Sequence, residues 1–124
     1  MTLQAGIGRT CEAIGNLSIS VPDERVLQEA IDQRLRQSGL SYEREWRLSP
    51  QDRIDFVVHA EGNIGIEVKI DGTCPQLMRQ VHRYLAHGTI DGMVIVTTRA
   101  RLTRIPAKVR SKPVVVHLLT ASLI

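Results

Sequence analysis

This 124-residue sequence predicts an α/β fold, with a central mixed β-sheet of about four to five strands flanked by α-helices. Two apolar runs, Ile54 to Val58 and Ile64 to Ile70, alternate with polar residues and read as the strands of a hairpin. Two other segments carry apolar residues at helical spacing: Leu27, Ala30, Ile31 and Leu35, then Leu77, Val81, Tyr84 and Leu85. A further run, Met93 to Thr98, is apolar without alternation, as a central strand covered on both faces requires.

The length suits one domain with a real core. Tyr42, Trp46, Phe56 and Tyr84 are its only aromatics, so the core is aliphatic and base stacking is not expected to dominate any nucleic-acid contact. The net charge of +3 is unevenly placed. After Asp91 come Arg99, Arg101, Arg104, Lys108, Arg110 and Lys112 and no acid, which leaves +6 there and −3 before it. That asymmetry suits a polyanionic partner, and a solvated basic loop explains it equally. Cys11 and Cys74 are too few for a disulfide framework or for the four thiolates of an iron–sulfur cluster. No run approaches 18 apolar residues, and the N-terminus lacks the basic and apolar stretches of a signal peptide, so no membrane association and a cytoplasmic location are expected.

Residues 1–20, punctuated by Gly6, Gly8 and Gly15, are expected as an arm or an added edge strand, with Leu17, Ile19 and Val21 alternating. Val21-Pro22-Asp23 opens a helix that Gly39 stops. Glu24 continues that helix's apolar stripe towards the core; it also occupies the first turn, where acids favour the helix dipole. Leu40 to Leu48 reads as a strand and Ser49 to Asp52 as a turn. After the hairpin, Asp71 to Pro75 is a break and a second helix runs from Gln76 to about His87. It carries Gln80 and Tyr84 four residues apart, on one side of the helix. The basic connection is expected to hold one helical turn near Pro106 to Arg110, and Val114 to Leu119 reads as a buried strand.

The hairpin RIDFVVHAEGNIGIEVK, Arg53 to Lys69, carries the chemistry. Its even positions are apolar, while Asp55, Glu67 and Lys69 share the odd face. With Glu61-Gly62-Asn63 as a three-residue loop, Asp55 stands opposite Lys69 and diagonal to Glu67, at roughly 7 to 8 Å between backbones. The face reads either as solvated charge or as a cation site. Hard divalent ions take one or two carboxylates with water and phosphate oxygens, and a neighbouring ammonium completes a hydrolytic set.

Asp55, then Glu67-Val68-Lys69, then Gln80-x-x-x-Tyr84 on the next helix, resembles the PD-(D/E)XK nuclease superfamily, in its RecB and lambda-exonuclease branch. Ile54 stands where the family motif has proline. The resemblance covers about residues 22–120 and implies a restriction-endonuclease-like core, so that residues 21–124 form a nuclease domain. It implies Mg²⁺ or Mn²⁺ held by Asp55, Glu67 and the Val68 carbonyl, with Glu24 from the first helix as a further ligand. Lys69 would orient or deprotonate the attacking water, or stabilise charge. Gln80 and Tyr84 would hold the DNA backbone or the water network, and Arg99, Arg101, Arg104, Lys108, Arg110 and Lys112 would contact phosphates.

The function so implied is metal-dependent DNA hydrolysis in phage or mobile-element DNA processing or recombination, by an exonuclease, an endonuclease or a junction resolvase, in a homo-oligomer. The alternative is a non-catalytic nucleic-acid-binding or assembly module on the same fold.

Overall fold

Alternating strands and one unbroken apolar strand need cover on two sides, and the chain supplies helices on both. The computed structural model describes residues 2–19 and 23–120. In chain order these form α1 (Leu3–Ile14), α2 (Glu24–Ser38), β1 (Tyr42–Arg47), β2 (Arg53–His59), β3 (Asn63–Val68), α3 (Cys74–Leu85), β4 (Gly92–Thr97), β5 (Lys108–Val109) and β6 (Lys112–Leu118). The sheet is mixed and six-stranded, in the order β1-β2-β3-β4-β6-β5. β1, β2 and β3 form an antiparallel meander. β3, β4 and β6 are parallel, so α3 is a crossover and the C-terminal ends of β3 and β4 lie side by side.

Two apolar layers sandwich the sheet. Phe56, Val58, Ile64, Ile66, Val94 and Val96 pack with Ile7 and Ile14 of α1 and Leu27, Ile31 and Leu35 of α2. On the other face Val57, Met93, Ile95 and Val114 pack with Leu77, Val81, Tyr84 and Leu85 of α3. Both faces of the hairpin are therefore covered, and its odd side is not the charged outer face that alternation alone suggests. Among the described residues, no helix is long and apolar enough to cross a membrane.

Residues 3–14 are a helix rather than an arm or edge strand. Thr2 caps it by accepting from the Ala5 N–H at 3.2 Å. Ile7 and Ile14 enter the same core as α2, so the segment is part of the domain. Gly6 is required there: a Cβ would stand 2.0 Å from the Ala60 carbonyl oxygen. α2 starts at Asp23, whose carboxylate accepts from the Arg25 N–H, and ends at left-handed Gly39. Val21 and Pro22, expected as a strand position and a start signal, lie outside the described residues.

The hairpin register also differs from expectation. His59 pairs with Asn63, so the loop is residues 60–62 and Asp55 comes level with Glu67 instead of Lys69. Asn63 is drawn into the ladder because its N–H donates to Asp91 and its side chain bonds His59, both at 2.8 Å. Glu61 and Gly62 take the left-handed conformations of the turn (φ 52° and 118°). Pairing of β1 with β2 is interrupted at Glu45 and Asp55, with Glu45 at φ 54°. Ile54 packs on the α3 side and Phe56 on the other, so the strand turns over at Asp55.

The basic connection holds a 3₁₀ turn at Ala100–Thr103. In place of the helical turn near Pro106 to Arg110, β5 and β6 form a tight hairpin with Arg110 and Ser111 both left-handed.

The contrast between two glycines of α1 tests its place in the core. Gly6→Ala should cost roughly 1–3 kcal/mol, because the obstacle is backbone. Gly8→Ala meets nothing within 4 Å and should stabilise by up to about 1 kcal/mol. Urea denaturation of both variants measures this, and equal midpoints would contradict it.

Candidate functional site

The C-terminal end of a central parallel strand, flanked by a strand that turns over and covered by an amphipathic helix, leaves little room for water. Glu67 occupies that position on β3 and is only 5% exposed. Its Oε2 accepts from the Gln80 side-chain amide at 3.0 Å, and its Oε1 lies 3.4 Å from the Asp55 N–H. Asp55, half-buried on β2, accepts from the Val68 N–H at 2.8 Å. The turn-over at residue 55 thus lets the Asp55 carboxylate reach across to the backbone of β3, where a regular ladder would have placed a carbonyl.

Glu24 reaches the same place from the first turn of α2. Its Oε1 accepts from the Ile70 N–H at 2.9 Å, so the side chain spans to the end of β3 and is not merely placed by the helix dipole. Gln28, one turn further along α2, lies near enough to the Asp55 carboxylate to oppose the rise in its pKa. Lys69 follows Val68 on the strand, and its ammonium has no hydrogen bond or ion pair among the described residues.

Gln80 and Tyr84 meet on the β3 side of α3. The Gln80 amide nitrogen donates to Glu67 and to the Tyr84 hydroxyl (2.9 Å), which donates onward to the Arg53 carbonyl at 3.1 Å. Their donors are spent on Glu67, on each other and on β2, so the pair braces Glu67. Gln80 Oε1 is buried without a partner among the described residues. Asp52, 7% exposed, accepts from Arg83 at 3.1 Å with His87 at 3.4 Å, which ties the end of α3 to the start of β2.

Asp55 and Glu67 thus lie together, within reach of the charges of Glu24 and the Lys69 ammonium. Burial, and then the Asp55 charge, push the Glu67 carboxyl up to about 9. Burial likewise raises Asp55, with Glu24 adding to the shift and the Val68 N–H opposing it. Burial and the Glu67 charge raise the Tyr84 phenol to about 12, so it remains a donor. Such an excess of desolvated negative charge is chemically suited to a divalent cation. Among the described residues no three His, Cys, Asp or Glu side chains form a group able to hold a metal ion. The fit is to an ion bound by a carboxylate pair with waters, which is the manner of Mg²⁺.

The basic residues of the C-terminal segment divide. Arg104 and Lys108 are exposed. Arg101 bonds the Ile70 and Gly72 carbonyls, beside the end of β3, and Arg99 has its Nε buried without a partner among the described residues. Arg110 donates to the His82 carbonyl. Lys112 is not available to a phosphate: its ammonium donates to the carbonyls of Leu85, His87 and Ile90, which uses all three N–H groups to cap α3. The expectations missed Gln28, although it sits four residues after Glu24 on the same face. They also missed Arg79 and Arg83, which flank Gln80 along α3 and join Lys69 around one depression.

A scan of the chain against protein-family models and a search of curated proteins each return no match.

The raised carboxyls dictate a pH dependence. In its folded state Glu67 keeps a proton that the unfolded chain has lost, so its contribution is complete below the unfolded value of 4.5 and drains away as pH climbs towards about 9. In EDTA the melting temperature should fall across that window, and Glu67→Gln, which mimics the protonated acid, should flatten the fall. Superimposable profiles for the two proteins would contradict it.

Proposed function

We propose that the protein is a divalent-metal-dependent deoxyribonuclease acting in DNA processing, with Asp55 and Glu67 as the ligand pair and Lys69 as the cationic partner. The observation that carries this reading is the meeting of two desolvated carboxylates and an unpaired ammonium at the end of β3. Nothing in the packing of an aliphatic core calls for that combination, since a buried carboxylate costs stability unless it is compensated. The spacing from Asp55 through Glu67 and Lys69 to Gln80 and Tyr84, similar to that of PD-(D/E)XK nucleases, supports the same reading.

When bound, Mg²⁺ or Mn²⁺ supplies a water of lowered pKa and stabilises charge on the attacked phosphate. The chain's own groups do the rest. Gln80 fixes one oxygen of Glu67 and leaves the other turned towards Asp55. The Val68 N–H holds Asp55 in place. Glu24 spends one oxygen on the Ile70 N–H, so it adds negative charge and holds the strand end in position. Lys69 would offset the charge of the phosphate, or orient or deprotonate the attacking water.

Incubation with closed circular, linear and four-way-junction DNA in Mg²⁺ or Mn²⁺ tests the reading. Cleavage should require the metal, disappear in Asp55→Asn and fall at least about 10²-fold in Lys69→Ala. Cleavage that survives both substitutions, or none of any substrate by the unsubstituted protein, would overturn it. The substrate preferred would separate exonuclease, endonuclease and resolvase.

A further inference from the structure

Beside the carboxylates, Lys69, Gln76, Arg79, Gln80 and Arg83 line an open depression of about 420 Å³. Its walls are the end of β3 and one stripe of α3, since positions 76, 79, 80 and 83 follow helical spacing. Three of the five lining residues are cationic and none is acidic.

These cations differ from those of the C-terminal segment in what they are free to do. Lys112, Arg110 and Arg101 give donors to backbone carbonyls. Arg79 is exposed, and neither it nor Lys69 has a side-chain hydrogen bond or ion pair among the described residues. Arg83 gives its Nε to Asp52, which fixes the guanidinium and leaves its terminal nitrogens unengaged.

We propose that this depression seats a phosphodiester of the DNA strand next to the one cleaved, with Arg79 as its principal contact. The inference rests on the nuclease reading and adds where the strand runs: along α3 from the Lys69 end, not over the basic C-terminal segment. A guanidinium presents paired N–H donors that match phosphate oxygens, and Arg79 has all of its donors available. Such a contact carries no base information and fixes register on the strand.

Arg79→Gln tests it, because an exposed side chain without partners can be replaced without loss of fold. On a 20-nucleotide DNA strand, KM should rise about tenfold with kcat little changed, and the slope of log KM against log salt should fall by about one contact. Arg104→Gln, exposed on the C-terminal segment, should leave both as they are. The strand is tested with a 5′-phosphate and with a 5′-hydroxyl end: an equal loss on both marks an internal phosphodiester, and a loss confined to the phosphorylated strand overturns the assignment. An unchanged KM and salt slope in Arg79→Gln, or a larger effect from Arg104→Gln, also overturns it. Either result leaves the nuclease reading standing, which falls only if the unsubstituted protein cleaves no DNA.

Discussion

Burial of the Glu67 carboxylate at the end of a central strand is the constraint on which the site depends. A charge removed from water in this way is unfavourable by several kcal/mol unless something compensates. The surroundings compensate only in part. One Gln80 amide reaches Glu67, Lys69 stands near, and Asp55 and Glu24 add charge of the same sign. The folded chain without a cation relieves the remainder by protonation, hence the raised carboxyls. A protein selected for stability alone would fill position 67 with an aliphatic residue, as it does at Ile66 and Val68 on either side.

The fold supplies this constraint through three devices. The crossover through α3 makes β3 and β4 parallel and brings their C-terminal ends together, with α3 laid over the odd face of β3. The interruption at Glu45 and Asp55 turns β2 over, so that Asp55 leaves the ladder and binds the Val68 N–H. The start of α2 delivers Glu24 to the Ile70 N–H, which joins the layer on the opposite face to the same strand end. Two helices from opposite sides of the sheet thus bear on one strand end. Their grip explains why residues as distant in sequence as Glu24 and Tyr84 bear on a single patch.

Much of this was legible in the sequence. The helices at Glu24–Ser38 and Cys74–Leu85 announced themselves by apolar spacing and by Asp23, Gly39 and Pro75 at their ends. Asp55, Glu67 and Lys69 stood out by their spacing, Glu24, Gln80 and Tyr84 by the family resemblance, and all six lie around the end of β3. The helix at Leu3–Ile14 was hidden because its glycines read as breaks: Gly15 is its C-cap, Gly6 is demanded by the close Ala60 carbonyl, and Gly8 is simply exposed. The two-residue register error came from long-range bonds of Asn63 to Asp91, which no local turn rule contains. The burial of the odd face, the turn-over at Asp55 and the consumption of Lys112 as a helix cap are likewise tertiary. Each depends on a partner more than ten residues away.

The central claim is that Asp55 and Glu67 together form a divalent-cation site, and the most direct measurement is melting temperature against Mn²⁺ concentration at pH 8. The account predicts a saturable rise in the unsubstituted protein, since an ion that binds only the folded chain stabilises it by mass action. The rise should be lost in Asp55→Asn and in Glu67→Gln. No rise in the unsubstituted protein, or an equal rise in both variants, would contradict it.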